Sequence, residues 1–417
     1  MSGLNTSFTQ YQLSHPAPAQ STIALQYLYA RKLLPMFIYR FSRFAFPVIV
    51  LSASLSATAQ NSLKLNFSNA VIYTGIEVGS KGVKMSMIEI GKNAQSSGAF
   101  NIIKDTSVNT DFISFSQPTF TATLNSFCEL YATANKQYQI PSKRIFTVVS
   151  SGVKMQAEKD GKTNWITNLV DSFRLKINEP GRIVEVVDVS KEARLSHLGI
   201  VPESRRFNTF LIDIGSGNTK GGFFPYGNLE TFKLFQLTWG TKSIANATEK
   251  RCGDDNSLIN FNKQLYRVTA IAENNEIIYA VNSSGSFPLS DNIAISGGIA
   301  WAVATLLHPE SLDKSVISVS YAELIKFSEK LYDNYEEGLS PAFLAGNINI
   351  IAEKQNVIKE VSRVQKVFDQ KSLMAGTALM LKIMRQFVSA YETKQFYLIK
   401  NGQVGWISAY VDQTVSQ

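Results

Sequence analysis

The sequence predicts an α/β protein of two related halves around a central cleft. Segments of strand character alternate with segments of helical spacing in two blocks, which is typical of two stacked α/β domains. In each block one acid stands between two aliphatic residues and runs into a Gly-Ser turn, in Ile76-Glu77-Val78-Gly79-Ser80 and in Ile212-Asp213-Ile214-Gly215-Ser216. Two copies in one register indicate a duplicated protein whose ligand lies between the halves.

Both copies are predicted to be β-hairpins, since strand-like residues stand on either side of each turn. Glycine lets backbone N–H groups approach a phosphate closely, and turn N–H groups form anion-binding nests. An acid beside such a nest can hold the divalent cation that phosphates bring with them. The two turns therefore predict a phosphate clamp, with Glu77 and Asp213 as candidate ligands of Mg²⁺ or another divalent cation.

The other elements are predicted from periodicity and from helix and turn signals. Predicted strands are 144–151, 182–189, 208–214 and 220–226, and predicted helices are 119–137, 162–178, 192–198, a helix after Ser296-Gly297-Gly298, one from Ser320 and one over 373–391. Residues 241–291 are polar and rich in turn residues. They are predicted to form a loop-rich insertion.

Composition excludes several classes of site. The chain has 417 residues, enough for two or three domains, and 45% of them are hydrophobic, so large cores are available. Its two cysteines, Cys128 and Cys252, could pair but have no metal or redox spacing. Its three histidines form no cluster in the sequence. A histidine-based zinc site and a Ser-His-Asp triad are therefore not expected.

The first 59 residues have the pattern of an export signal. Arg40 and Arg43 precede the apolar run 44–55, and Ala57-Thr58-Ala59 follows as an A-x-A cleavage site. A membrane anchor or a buried helix is the alternative, but the run is short for a membrane span and three serines interrupt it. Cleavage after Ala59 is expected, with no stable membrane insertion afterwards. Met36 would give a signal of ordinary shape, so either Met1 or Met36 could be the start.

Removal of this leader changes the net charge. Four of the 41 basic residues and none of the 33 acidic ones lie in residues 1–59, so the mature chain has 37 basic against 33 acidic residues. This mild excess of four suits a small anionic ligand. No basic run with interleaved aromatic residues occurs. Nucleic acid is therefore not a predicted partner.

Two motifs in the middle of the chain carry a family resemblance. Glu192-Ala193-Arg194-Leu195 follows a β-branched strand, and Asp213-Ile214-Gly215-Ser216-Gly217-Asn218-Thr219 follows a short gap later. This order resembles the Ppx/GppA family of exopolyphosphatases and guanosine pentaphosphate phosphohydrolases, which has an E-A-R-L-type helix start and then a D-I-G-G-G-S-T loop. The resemblance covers roughly residues 70–412.

Three further segments agree with that family. Glu77-Val78-Gly79-Ser80 resembles its first D-L-G-S phosphate loop, Ser150–Lys154 its T-S-x-x-R segment, and Ser296-Gly297-Gly298 its G-x-G-G stretch. The resemblance implies an actin-like ATPase fold, with two ribonuclease-H-like domains around a central cleft. The expected boundaries are 1–59 for the leader, 60–206 for the N-terminal domain and 207–417 for the C-terminal domain.

The resemblance also implies a site. Glu192 would be the general base that takes a proton from the attacking water. The implied phosphate-binding residues are Gly79, Ser80, Lys81, Lys154, Gly215, Ser216, Gly217, Asn218, Thr219, Gly297 and Gly298. The implied ligand is polyphosphate or a phosphorylated nucleotide, and the implied reaction is hydrolysis of its terminal phosphate.

The sequence departs from the family pattern at the site itself. Glu77 replaces an Asp, Lys154 replaces an Arg and so loses bidentate geometry, and Lys220 stands where an acid is expected. Two functions therefore remain open: an exported, periplasmic phosphatase, or a catalytically degenerate binding protein of the same fold. An ATP-using kinase or filament fits poorly with export. A homodimer is left open.

The leader makes the first testable prediction. The exported fraction should begin at Gln60, because a signal peptidase recognises the small residues Ala57 and Ala59. Intact mass spectrometry of the exported protein measures this directly. An uncleaved chain retained in the cytoplasm would contradict the export prediction.

Overall fold

The structure is a computed structural model that describes residues 65–91, 100–389, 393–400, 402, 405, 409 and 410. All of these belong to one compact unit, 63–417. The predicted leader, 1–59, lies outside the described residues, and the domain boundary at 206/207 stays a prediction. Within the described ranges, no helix is both long and apolar enough to cross a membrane.

Two mixed β-sheets organise the described chain. The strands are β1 Val71–Val78, β2 Gly82–Ile90, β3 Phe100–Asn109, β4 Ile145–Val149, β5 Val184–Val186, β6 Thr209–Ile214, β7 Thr219–Phe223, β8 Lys233–Leu237, β9 Asn292–Ser296, β10 Val316–Val319 and β11 Gln395–Ile399. The first sheet has the order β3-β2-β1-β4-β5, and the second has β10-β11-β9-β6-β7-β8.

The two sheets repeat one topology. In each, three antiparallel strands (β1–β3, or β6–β8) are extended by parallel strands (β4 and β5, or β9 and β11). The second sheet adds the antiparallel edge strand β10. The predicted duplication is therefore present in the strand order, and both predicted hairpins, β1–β2 and β6–β7, are confirmed.

Fourteen α-helices are described in the same ranges. They are α1 Gln117–Ala132, α2 Ser151–Lys159, α3 Thr163–Lys176, α4 Val189–Ile200, α5 Thr241–Cys252, α6 Leu258–Ala272, α7 Ile278–Ser284, α8 Ser286–Leu289, α9 Gly298–Leu307, α10 Tyr321–Asp333, α11 Tyr335–Gly338, α12 Pro341–Leu344, α13 Ile351–Val367 and α14 Gln370–Arg385. The predicted capping box of α10 is confirmed, since Ser320 and Glu323 bond each other's backbone N–H groups. The predicted buried helix is α14.

The prediction of a loop-rich insertion at 241–291 is wrong. These residues form α5 to α8, with a π-helical stretch, Glu273–Ile277, between α6 and α7. The polar residues lie mainly on exposed helix faces, while Ile244, Phe261 and Val268 are buried in the core of the second sheet. The turn signals mark real breaks between helices, with Gly253 and Gly285 at positive φ.

Each sheet has its own hydrophobic core. Phe127 of α1 stacks on Phe173 of α3 in the first core, with ring centroids 3.7 Å apart. The second core lies against α14 and α9, whose side chains are largely buried. Cys128 packs against the first core and Cys252 in the second, and both are free thiols.

Helix α4 contacts both sheets. Leu195 packs with Tyr73 and Val148 of the first sheet. On the other side, the His197 ring contacts the backbone carbonyl of Thr209 in β6 through Nε2 at 3.0 Å and lies edge-on to Phe224. The helix begins at an N-cap, since Asp188 accepts from the N–H of Lys191. This helix therefore fixes side chains of its first turn between the two halves.

The burial of His197 makes the second testable prediction. Burial, chiefly, lowers the pKa of His197 to about 4. Below pH 6.5 the unfolded chain takes up a proton that the folded chain does not, so stability is present above pH 6.5 and is lost as pH falls toward 4. At about 1.4 kcal/mol per pKa unit, the loss in free energy of unfolding is of order 3 kcal/mol.

Urea unfolding at several pH values measures this loss. His197→Gln should remove most of it, because the amide can still donate to the Thr209 carbonyl but does not titrate. Carboxylates contribute the same background slope to both proteins. Equal pH dependence in wild type and variant would show that His197 is not the cause.

Candidate functional site

The two Gly-Ser turns close their hairpins in the same way. The Gly79 N–H donates to the Gly82 carbonyl at 2.8 Å, and the Gly215 N–H donates to the Asn218 carbonyl at 2.9 Å. Ser80 and Lys81 form the tip of the first turn, and Ser216 and Gly217 form the tip of the second. Each turn therefore ends a hairpin whose first strand carries an acid.

These turns face one another and the start of α2. A Cβ added at Gly217 would lie 2.9 Å from Ser80 Oγ, and one added at Gly152 would lie 3.0 Å from both Ser80 Oγ and Asn218 Oδ1. Both distances are shorter than ordinary Cβ contacts, so a larger residue at either position would force the side chain of Ser80 or Asn218 to move. Together the two turns and α2 line a cleft of about 800 Å³.

A second glycine pair lies at the start of α9. Gly297 has φ +99, and a Cβ there would meet the Ile214 carbonyl oxygen at 2.2 Å, so only glycine fits. Gly298 begins the helix, and both glycines line the same cleft. The predicted Ser296-Gly297-Gly298 segment therefore lies next to the second Gly-Ser turn.

Each hairpin acid faces a lysine across its hairpin. Glu77 in β1 is opposite Lys84 in β2, and Asp213 in β6 is opposite Lys220 in β7. The Lys220 ammonium lies 3.2 Å from Asp213 Oδ2. In both hairpins the lysine follows the acid by seven residues. This repeated spacing is the signal in the sequence that places each lysine opposite its acid.

Glu192 joins the second of these pairs. Its Oε1 lies 2.9 Å from Lys220 Nζ, and its Oε2 accepts the Ser151 N–H of α2 at 2.8 Å. Ser296 Oγ donates to Asp213 Oδ1 at 3.1 Å. Glu192 is 1% exposed, so its carboxylate is held from two sides inside the protein.

Two side chains of this cluster have shifted pKa values. Burial acts against the ammonium, but the carboxylates of Glu192 and Asp213 outweigh it and raise the pKa of Lys220. Burial raises the pKa of Glu77 to about 7, against the opposing effect of Lys84. Glu77 Oε2 is buried and has no hydrogen-bond partner among the described residues.

A divalent cation does not fit these residues. The ammonium of Lys220 already lies between the carboxylates of Glu192 and Asp213. Within the described ranges, no three His, Cys, Asp or Glu side chains are placed to hold a metal ion. The arrangement therefore disagrees with the expectation that Glu77 and Asp213 coordinate Mg²⁺.

Most of the predicted site residues meet in this cleft. Its lining includes Glu77, Gly79, Ser80, Lys81, Glu192, Asp213, Gly215, Ser216, Gly217, Asn218, Gly297 and Gly298. Lys154 lies half-buried on α2 outside the lining, and Thr219 is buried, with its hydroxyl donating to the Trp239 carbonyl at 2.7 Å. The structure therefore does not bring Lys154 and Thr219 to the cleft.

Three contacts cross the cleft. Lys81 is a predicted site residue, but its partners on the far side, and the pairs formed by Lys242 and Arg363, are not predicted from the sequence. Lys81 donates to the Val367 carbonyl and lies over the Phe368 ring. Lys242 of α5 pairs with Asp111, and Arg363 of α13 pairs with Asp105 at 3.3 Å. The sequence shows only that α5 and α13 each contain a basic residue. It does not indicate the pairs with Asp111 and Asp105, because these partners are more than 100 residues away in the chain.

Solved structures show the same fold. A Ppx/GppA family member from Aquifex aeolicus superposes with a TM-score of 0.55 at 16% identity, over 83% of this chain and 98% of that chain. A crystal structure of the type II variant of the Aquifex aeolicus Ppx/GppA phosphatase gives 0.53 at 16%, over 82% and 99%. An exopolyphosphatase-like protein gives 0.54 at 12%, over 84% and 100%.

These likenesses define the class of fold. The chain is a two-lobed α/β protein with the actin-like ATPase fold, as the sequence predicts. More narrowly, it has the fold of Ppx/GppA phosphatase structures over most of its length. No family model matches the sequence, and no curated protein matches it.

The close approach of the turns makes the third testable prediction. Gly217→Val should abolish measurable binding of inorganic phosphate, since its side chain would meet Ser80 and fill the space between the turns. Gly181→Val is the matched control, because Gly181 is exposed and a Cβ there meets nothing within 4 Å. Isothermal titration measures both affinities. Unchanged binding by a folded Gly217→Val would refute the two-turn clamp.

Proposed function

We propose that the protein hydrolyses the terminal phosphate of polyphosphate or of a phosphorylated nucleotide in this cleft. The observation that carries the proposal is the meeting of two glycine-lined turns beside the buried carboxylate of Glu192. Turn N–H groups suit a phosphate, and a fixed carboxylate suits an attacking water. The Ppx/GppA phosphatase and the exopolyphosphatase-like protein described above support the proposal through their shared fold.

Glu192 has the capacity for the role of base. An ionised carboxylate has about four acceptor sites, and Lys220 and Ser151 use two of them. In the proposed step a water oxygen attacks the terminal phosphorus, its proton passes to Glu192, and the bridging P–O bond breaks. The remaining phosphate chain leaves as an anion, so it needs no proton.

The cleft also supplies groups that stabilise the transferred phosphoryl group. The ammonium of Lys220 lies next to the second turn, and the hydroxyls of Ser80 and Ser216 lie at the turn tips. Charge on the equatorial oxygens is stabilised by such fixed donors. A buried site also strengthens these interactions, because water does not screen them.

A binding protein without catalysis is the second candidate. The observation that favours it is the ion pair between Lys220 and Glu192, because the ammonium at 2.9 Å already occupies one oxygen of the carboxylate that would have to take the proton from water. The same turns would then hold a polyanion without cleaving it. Phosphate release by the purified mature chain distinguishes the two.

Action outside the cytoplasm is part of the proposal. It is supported by the leader pattern ahead of residue 60, and the periplasm is the proposed compartment. A kinase or filament of this fold would need ATP, which is scarce there. Polyphosphate and phosphorylated nucleotides are the proposed ligands, and nucleic acid is not.

Replacement of the base makes the fourth testable prediction. Glu192→Gln keeps the shape of the side chain but removes the basic oxygen, so kcat should fall about 10²- to 10⁴-fold. KM should stay unchanged or fall, because a carboxylate repels phosphate in the ground state. Phosphate release from polyphosphate, pyrophosphate and nucleotides measures both constants.

The control is Glu203→Gln, an exposed acid outside the cleft, which should behave as wild type. If Glu192→Gln hydrolyses as fast as wild type, Glu192 is not the base. If wild type binds polyphosphate but releases no phosphate from any candidate, the binding protein is the correct function.

A further inference from the structure

The position of Lys220 determines how the negative charges of the cleft are balanced. Its side chain is 7% exposed, and its ammonium lies between Glu192 Oε1 and Asp213 Oδ2. Glu77, from the other hairpin, is also near enough to act on it electrostatically. The ammonium thus pairs with carboxylates from two elements, α4 and β6, and the carboxylate of Glu77 in β1 acts on it from farther away.

An ammonium in this position supplies positive charge to the carboxylates, as a metal ion would. It has three N–H donors, and Glu192 and Asp213 use two. No third acceptor contacts the ammonium among the described residues, and Lys220 is part of the cleft lining. A Cβ added at Gly215 would lie 3.8 Å from Nζ, so the ammonium borders the second turn.

We propose that the Lys220 ammonium is a resident cation that replaces a divalent metal ion, so that the cleft binds phosphate without metal. This inference rests on the proposed function of the cleft as a phosphate site. Lys220 neutralises the carboxylates that would otherwise repel a phosphate, and its third N–H reaches a phosphate oxygen. Being covalently attached, this cation cannot be removed by a chelator.

The geometry also explains why a metal ion would not add to it. Magnesium demands near-octahedral oxygen ligands at about 2.0–2.1 Å. The ammonium occupies the space between the two carboxylates, and a metal ion there would meet a like charge in a buried setting. The site therefore contains either the lysine or a metal ion.

The first experiment uses the wild-type mature protein and inorganic phosphate as the probe. Calorimetric titration in EDTA and in Mg²⁺ should give affinities within about twofold of each other. Binding only with Mg²⁺ would overturn the inference while leaving a phosphate cleft in place. No binding under either condition would instead overturn the proposed function on which it rests.

Variants at Lys220 test the residue itself. Lys220→Met removes the charge at similar length and should weaken phosphate binding about 10- to 100-fold, the usual effect of losing a hydrogen bond to a charged group. Lys233→Met, an exposed lysine on the neighbouring strand β8, is the matched control and should bind as wild type. Equal affinity for folded Lys220→Met and wild type would overturn the inference.

Lys220→Glu reverses the charge at this position instead of removing it. It places a third carboxylate next to those of Glu192 and Asp213, and carboxylate oxygens suit a divalent cation. This variant should acquire Mg²⁺ binding, seen by calorimetry without phosphate, and should bind phosphate only when Mg²⁺ is present. Metal-free phosphate binding as tight as that of wild type would overturn the inference. Circular dichroism establishes that each variant is folded.

Discussion

The interaction on which the site depends is the buried ion pair of Lys220 with Glu192 and Asp213. Through it, α4 is tied to the hairpin of the second sheet. The same Glu192 accepts the Ser151 N–H at the start of α2, and the same Asp213 accepts the Ser296 hydroxyl at the end of β9. One continuous path of polar contacts therefore joins elements of both halves. Removing one member would leave charge buried without a partner, which typically costs about 3–5 kcal/mol.

The duplicated topology gives the two halves matching hairpins that differ in how their charges are paired. Both hairpins carry an acid opposite a lysine, Glu77 with Lys84 and Asp213 with Lys220. In the second pair, α4 packs on β7 and brings Glu192 into an ion pair with the lysine. Burial raises the pKa of Glu77 to about 7, against the opposing effect of Lys84. The two similar hairpins thus contribute differently to the site, since the second supplies an ammonium that pairs with two carboxylates.

Much of the fold could be predicted from the sequence because its signals are local. The Gly-Ser turns, the capping box of Ser320 and Glu323, and the glycines before α9 all depend on residues within a few positions of one another. The helices of 241–291 could not be predicted, because an amphipathic helix with a polar exposed face has the composition of a loop. The ion pairs of Lys220 required strand register and the packing of α4. The position of Lys154 depends on which face of α2 it occupies. Neither the ion pairs of Lys220 nor the orientation of Lys154 follows from spacing in the chain.

The contacts across the cleft, Lys242 with Asp111 and Arg363 with Asp105, make ligand entry an exchange of partners. A polyanion that engages either cation must displace a carboxylate, so the number of ion pairs changes little and their net contribution to affinity is small. The displaced aspartates are left beside a negative ligand and are repelled by it. These aspartates belong to the first half of the molecule and the cations to helices of the second. Under the proposed function, a polyanion that took over either cation would therefore also weaken a contact between the halves.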